Sequence, residues 1–250
     1  MPLTEHPGGY RFLPGIAPYS CGVVSAPGFE IVHVTLERPV PWRAGFDLID
    51  RHLQSERRPR AAFCAAELRS PRPFTFEGFA AFNGGYARVL EEWGLFVGGV
   101  NPVARTNVAP VVFPPAEPCL YAFSYTRPCG RDLPPTFVVA GAGELPEGVL
   151  SADAIVRAGD VSPEGVAAKA EFVMGLMESR LHGLGVGWPA VTAMDVYTIH
   201  PIDRLLPGIL FGRAGEAAVH GVRWFYTRPP IEEIEYEMDV RGVRTELRAG

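Results

Sequence analysis

Apolar residues recur with two different periods along this chain. Short segments rich in β-branched residues predict strands, and apolar residues repeated every three or four positions predict helices. On this basis the first half reads as strand, strand, helix, strand, helix, strand, strand. These predicted elements span residues 9–13, 30–36, 42–53, 61–68, 76–93, 106–113 and 119–125.

The second half begins again with a strand, over residues 136–140, followed by a glycine-rich turn. Ser162 and Pro163 then predict a helix start, because serine caps the first turn and proline suits the first helical position. This helix is expected to end near Gly183. The remaining predictions are a strand over 191–200, a short helix or loop over 202–211, and strands over 221–226 and 231–240.

The two halves therefore have similar element orders, which suggests a duplication. A proline-rich segment at the midpoint, residues 128–135, is the natural linker between them. We expect two α+β domains, spanning residues 1–130 and 131–250.

The composition fits a globular chain with a substantial core, because 47% of the 250 residues are hydrophobic and 20% are charged. A formal net charge of −5 argues against nucleic-acid binding, which needs a basic face. The chain has 22 arginines and one lysine, Lys169. Schiff-base chemistry would thus depend on Lys169 alone, on a helix where we expect it to be solvated, whereas arginine suits carboxylate recognition.

No metal or cofactor is expected. The four cysteines lack a CxxC spacing, and the six histidines lack ligand spacing. The glycine pair at Gly141 and Gly143 lacks the third glycine of a dinucleotide fingerprint, because Pro146 stands there. With no export signal and no long apolar run, we expect a cytoplasmic protein with reduced cysteines and no membrane contact.

Two segments carry candidate chemistry. Arg105 enters a predicted strand just after Asn101 and Pro102, where its guanidinium could bind a carboxylate, although a surface ion pair with a glutamate is the alternative. The acidic segment 231–237 alternates in polarity like a strand. It is either a solvated sheet edge or a strand with one inward carboxylate that acts as a general base.

Several short motifs resemble the reactive-intermediate deaminase family, also called Rid or YjgF. The segment 17–23 is similar to the family's opening Gly-Pro-Tyr, and 82–86 to its helical Asn-x-x-Tyr. Residues 102–106 resemble its Pro-Ala-Arg-Ser/Thr signature with one residue inserted. In the second half, 138–141 is similar to the family's Ile-Thr-Ser-Gly strand end, and 234–237 to its closing Ile-Glu-Ile-Glu strand.

The resemblance implies two tandem Rid/YjgF-like domains of the chorismate-mutase-like type, each a mixed sheet with helices on one face. It also implies homotrimers and the hydrolysis of small enamine or imine acids to keto acids and ammonia, without a metal or cofactor. Arg105 would hold the substrate carboxylate and Glu235 would activate water. Other substrate contacts would come from Tyr19, Asn83, the backbone N–H of Gly141, and His220 as an anion site when protonated; core packing is an equal alternative for Tyr19 and Asn83.

The chain also departs from the family's pattern. In the family, the first glutamate of the closing strand follows the signature arginine by fifteen residues, but Leu120 stands at that distance from Arg105, and His220 stands at that distance before Glu235. Each half thus has one member of the pair. Either the halves complete one site, which we favour, or both sites have decayed.

The expected function is hydrolytic deamination of 2-iminobutanoate-like or 2-aminomuconate-like acids. The alternatives are a non-catalytic module that binds small ligands, or a chorismatase-like enzyme on the duplicated fold.

Overall fold

A computed structural model describes residues 2–130 and 132–250 of the chain. Twelve strands in these ranges follow one another side by side in the order β1-β2-β3-β8-β11-β9-β10-β6-β5-β7-β4-β12. They are β1 (Thr4–His6), β2 (Tyr10–Leu13), β3 (Gly22–Ser25), β4 (Phe29–Pro41), β5 (Phe63–Arg69), β6 (Ala104–Pro110), β7 (Cys119–Pro128), β8 (Phe137–Gly143), β9 (Ala193–Thr198), β10 (Arg223–Arg228), β11 (Glu237–Gly242) and β12 (Thr245–Ala249).

The strands form two sheets that meet at a short junction. β10 and β6 pair antiparallel through Thr227 with Pro110 and Arg228 with Ala109. On one side of this junction lie β6, β5, β7, β4 and β12, and on the other lie β10, β9, β11, β8, β3, β2 and β1. We call these the first sheet and the second sheet.

The same four-strand topology occurs in both sheets. β4 to β7 are arranged as β6-β5-β7-β4, and β8 to β11 as β10-β9-β11-β8. The directions also agree, since the first pair in each arrangement is parallel and the next two are antiparallel. This repeat parallels the repeated element order of the sequence, while the division into domains at residue 130 stays a prediction.

The terminal strands cross over between the sheets. β12, from the end of the chain, pairs in parallel with β4 of the first sheet. β3, from the beginning, pairs antiparallel with β8 of the second sheet. Each sheet therefore contains strands from both sides of residue 130.

Helices α1 (Trp42–Ser55) and α2 (Phe76–Glu92) pack on the first sheet, and α3 (Pro163–Gly183) packs on the second. A short α4 (Phe211–Ala214) lies in a helical segment that also has π and 3-10 turns. Both long helices that flank the site begin as the sequence predicts. Thr75 caps α2 by accepting from the Gly78 N–H at 3.0 Å, and Ser162 caps α3 by accepting from the Gly165 N–H at 3.0 Å.

The predicted strand over 231–240 begins only at Glu237. Ile231 and Ile234 are both buried, and the Ile234 N–H donates to the Ile231 carbonyl at 3.1 Å. Two apolar residues three positions apart face the same side in a turn but opposite sides in a strand. The segment therefore turns before β11, which leaves Glu235 in the connection.

The prediction that Lys169 is solvated was wrong. Its ammonium group is fully buried and donates to Glu144 at 3.1 Å and to the Val156 carbonyl at 2.8 Å. The ion pair and the carbonyl satisfy the charge that burial would otherwise penalise. No helix in the described ranges is both long and apolar enough to span a membrane.

Candidate active site

A cavity of about 70 Å³ opens where the first sheet meets the second. Its walls come from α2, β6 and the segment before β3 on one side, and from β8, α3, β11 and the segment after β8 on the other. Residues from both sides of position 130 therefore form one cavity within a single chain.

Arg105 on β6 is the cation on the first wall. Its side chain is buried, and its Nη2 group donates to Asn83 Oδ1 on α2 at 2.6 Å. Its Nε and Nη1 groups have no hydrogen-bond partner among residues 2–130 and 132–250. A guanidinium held at one corner, with its other donors unpaired, is prepared to bind a carboxylate.

Aromatic rings surround the Arg105 guanidinium. Its Cζ atom lies 4.9 Å from the ring centre of Tyr19 and 4.8 Å from that of Tyr86, with Phe79 and Phe82 farther out. Burial lowers the pKa of Arg105, but arginine begins so far above neutrality that it keeps its charge. The rings thus stabilise a cation that has no carboxylate partner in the described part of the chain.

Asn107 adds a second open donor. It lies two residues beyond Arg105 on β6, so both side chains leave the strand on the same face. Its Oδ1 accepts from Ser70 Oγ at 2.9 Å, while its Nδ2 has no partner in the described part of the chain. Both residues therefore present unpaired N–H groups along one wall of the cavity.

Glu237 on β11 is the carboxyl group on the opposite wall. Burial and the nearby Asp239 raise its pKa well above the usual value, and Arg180 and Arg105 oppose this shift. The surroundings of Glu237 therefore favour its protonated form. A side chain at Gly141 would collide with Glu237 Oε1, so this position on β8 admits the carboxyl only because it is glycine.

Arg180 at the end of α3 is the second buried guanidinium. It donates to the carbonyls of Ala140 and Gly141 at 2.8 and 3.3 Å, and its Nε and Nη2 groups donate to the two oxygens of Glu147 at 2.7 and 3.1 Å. Burial raises the pKa of Glu147, but the hydrogen bond and charge of Arg180 outweigh it, and the pKa lies below its usual value. Glu147 is thus a carboxylate that occupies the Nε and Nη2 donors of Arg180.

Four of the six predicted site residues lie together. Arg105, Tyr19 and Gly141 line the cavity, and Asn83 holds Arg105 from behind. Glu235 does not line it.

Instead, Glu235 binds His200 Nε2 at 2.8 Å and Arg228 Nη1 at 3.5 Å, because the turn before β11 directs it to the other side of the strand connection. His220 is exposed at the end of a 3-10 turn and borders a different cavity with Arg223 and Glu246.

Asn107, Glu147, Arg180 and Glu237 also line the cavity but were not among the predicted site residues. Three of them had a signal in the sequence. Arg180 lies on the buried stripe of α3, three residues after Met177, where a charge requires a partner. Asn107 shares a face of β6 with Arg105. Glu237 lies in the acidic segment 231–237, for which one inward carboxylate was an expected alternative. Glu147 depends on the course of a loop, which local patterns do not fix.

A cluster of carboxylates lies next to the site, between the two sheets. Glu67, Asp195 and Asp239 have carboxylate oxygens within 4.8 Å of one another. Arg223 donates to Asp195 at 2.6 and 2.7 Å, Arg241 donates to Asp195 at 2.9 Å, and Arg69 pairs with Glu67 at 3.3 Å.

Asp239 accepts from Thr106 Oγ1 at 2.7 Å and from Tyr197 at 2.9 Å, and burial and its acidic neighbours raise its pKa to about 8. Because hydrogen-bond donors already occupy the carboxylates, the cluster fits an ion-pair network better than a metal site.

Residues 3–247 match the model of the family described as 2-aminomuconate deaminase CnbZ. The chain belongs to this family. It is also 45% identical, over 238 residues and 94% of each chain, to the 2-amino-5-chloromuconate deaminase of Comamonas testosteroni. Membership of the 2-aminomuconate deaminase CnbZ family confirms the prediction of a deaminase, and with it the prediction of an enzyme.

A solved chorismatase shares the fold. The crystal structure at 1.08 Å resolution aligns with 96% of this chain and 78% of the chorismatase chain, with a TM-score of 0.52 and 11% identity. At this identity the likeness concerns the fold alone. Membership of the Rid/YjgF family stays a prediction.

Proposed function

We propose that this protein hydrolyses 2-aminomuconate-type substrates, which are unsaturated six-carbon dicarboxylic acids with an amino group on C2. The family and the 45% identical deaminase support this substrate class. The single observation that carries the assignment to this cavity is the buried Arg105, whose Nε and Nη1 groups have no partner among the described residues.

Arg105 would bind the carboxylate next to the amino-bearing carbon. Two parallel N–H···O bonds, one from Nε or Nη1 and the other from the second proton of Nη2, fix both the position and the plane of a carboxylate. Asn83 keeps the guanidinium from turning, and Asn107 can donate a further hydrogen bond to the substrate. Tyr19 and Phe79 offer flat apolar surfaces for the conjugated chain.

Glu237 would supply and then accept the proton. The protonated carboxyl donates its proton to a carbon of the enamine, which converts the amino group to an iminium and leaves a carboxylate. This carboxylate takes a proton from the water that attacks C2. The hydroxyl proton of the resulting carbinolamine then passes to the nitrogen, and ammonia leaves to give a keto acid. The net reaction is enamine plus water to keto acid plus ammonia, with Glu237 protonated again at the end.

We assign this proton transfer to Glu237 instead of Glu235, because Glu237 lines the cavity with Arg105 whereas Glu235 is paired with His200. We propose no substrate contact for His220, which borders another cavity. The homotrimer implied by the Rid/YjgF resemblance is a separate proposal, and light scattering on the purified chain tests it.

The test is ammonia release from freshly generated 2-aminomuconate, corrected for spontaneous hydrolysis. We expect activity in the wild type, a loss of at least ~10²-fold in Glu237→Gln, and little change in Glu235→Gln. Because the two variants remove similar groups two positions apart, they are matched controls. Full activity in Glu237→Gln, or ammonia release no faster than in buffer, would overturn the proposal.

A further inference from the structure

The two ends of the Arg180–Glu147 ion pair have very different surroundings. The Arg180 side chain is 6% exposed, whereas that of Glu147 is 44% exposed. Arg180 is fixed from behind by the carbonyls of Ala140 and Gly141. The guanidinium therefore belongs to the rigid wall of the cavity, and the carboxylate reaches it from the surface.

Glu147 lies on a turn that is anchored at its beginning. Glu144 is fully buried, pairs with Lys169 and accepts from the backbone N–H groups of Glu235 and Tyr236 at 2.7 and 3.1 Å. From Pro146 onward the residues are exposed up to Leu150.

Gly148 has a φ of +77°, and the Val149 N–H donates to the Pro146 carbonyl at 3.1 Å, so the exposed part is a tight turn closed on itself. The Glu147 side chain attaches this turn to the cavity wall through Arg180.

The charges of the cavity are not balanced for a dicarboxylate while this ion pair is closed. The lining contains the guanidiniums of Arg105 and Arg180, the carboxylate of Glu147, and the carboxyl of Glu237, whose protonated form is favoured because burial raises its pKa. Arg105 can accept one substrate carboxylate. For the second substrate carboxylate, the cavity offers the buried guanidinium of Arg180, whose two parallel donors Glu147 now occupies.

We propose that Arg180 recognises the second carboxylate of the substrate, and that Glu147 is an internal anion which this carboxylate replaces. The inference rests on the proposed function, because it assumes a dicarboxylic substrate in this cavity. One bidentate carboxylate takes the place of another on the same guanidinium, so the hydrogen bonds of Arg180 are conserved. The half-exposed Glu147 moves into water, which lowers the cost of its release.

The exchange distinguishes dicarboxylic from monocarboxylic acids. A monocarboxylic acid bound to Arg105 leaves Glu147 in place and gains nothing from Arg180. A dicarboxylic acid gains a second ion pair but must displace Glu147. Removing the charge of Glu147 should therefore favour the dicarboxylic acid alone.

Two unreactive acids test this by calorimetry. Muconate has the dicarboxylic diene chain without the amino group, and sorbate has the same diene with a methyl group in place of one carboxylate. We expect Glu147→Gln to bind muconate ~10-fold more tightly than the wild type does and sorbate equally well. Glu92→Gln, an exposed glutamate on α2, is the matched control and should change neither affinity.

Arg180→Lys should lose ~10-fold in muconate affinity and keep its sorbate affinity, because a lysine retains charge but not the fork. Equal shifts for both acids, or none in Glu147→Gln, would overturn the assignment of Arg180. Failure of the proposed function is distinguishable, because it appears as absent ammonia release from 2-aminomuconate or as Arg105 variants that bind sorbate normally.

Discussion

Asn83 accepts a 2.6 Å hydrogen bond from Arg105 Nη2 and so joins helix α2 to strand β6 directly behind the cavity. An asparagine gives the guanidinium an acceptor but no opposing charge. The cation is therefore oriented and remains without a carboxylate partner in the described ranges. Because Asn83 is neutral, the charge of Arg105 remains available for the carboxylate of a bound ligand.

Asn83→Asp should give Arg105 a permanent counter-ion. We expect muconate affinity to fall ~10- to 100-fold, because the ligand must then compete with a carboxylate already on the guanidinium. Asn83→Ala, which removes the acceptor without adding charge, should reduce affinity less. Calorimetry on both variants checks the order, and equal losses would contradict the charge argument.

Arg105→Met should abolish carboxylate binding without unfolding the protein. Replacing this buried cation with an apolar side chain of similar length removes the desolvation cost of a charge, several kcal/mol per ion, and this offsets the ~1–3 kcal/mol cost of leaving the Asn83 acceptor unpaired. We therefore expect no muconate or sorbate binding and an equal or higher melting temperature. Arg105→Lys should restore little binding. Arg88→Met, on the exposed face of α2, serves as the control.

Glu237 should make the protein less stable as the pH rises. Its pKa in the folded state is raised well above that in the unfolded chain, so folding favours the protonated form. The contribution of Glu237 to the free energy of unfolding is fully present below the unfolded pKa of ~4.3. It falls by ~1.4 kcal/mol per pH unit until the pKa of the folded state is reached.

Glu237→Gln removes this dependence, so its advantage over the wild type should grow as the pH rises above ~5. Urea unfolding at several pH values measures it. The Asp239 carboxyl, with a pKa of about 8, contributes a similar slope to both proteins. Parallel pH profiles for the two proteins would show that Glu237 ionises normally.

Gly141→Ala should impair catalysis through Glu237. Its added Cβ would collide with Glu237 Oε1, so the carboxyl must move. We expect at least ~10-fold lower activity, because the proton donor is displaced from the reacting atoms. Gly84→Ala, on the exposed side of α2 with open space around it, should leave activity unchanged and raise stability by ~0.5–1 kcal/mol.

Local sequence patterns predicted the helices well. The predicted spans 42–53 and 76–93 became Trp42–Ser55 and Phe76–Glu92, because each has a continuous apolar stripe and a defined start. β1, β3 and β12 were not predicted. These strands have three to five residues each, and they are extended because a distant strand offers backbone partners. That information is absent from the local sequence.

The site was predicted only in part, because some of its residues are also positioned by contacts that are distant in the sequence. Arg105 could be chosen because Asn101 and Pro102 fix its entry into a strand. The choice between Glu235 and Glu237 could not be made, because a shift of two residues preserves the alternating pattern. The turn at Ile231–Ile234 decides it, through contacts with Phe79 and Leu145 that lie far away in the sequence.

Because the terminal strands cross over between the sheets, the backbone connection between β7 and β8 is not needed to hold the two sheets together. If a protease cut the backbone there, the fragment that ends with β7 would still supply β3 to the second sheet. The other fragment would still supply β12 to the first sheet. Separation would uncover an edge of β4 and an edge of β8 at once, leaving unpaired backbone groups on both fragments. A nicked molecule should therefore stay associated, with its cavity intact.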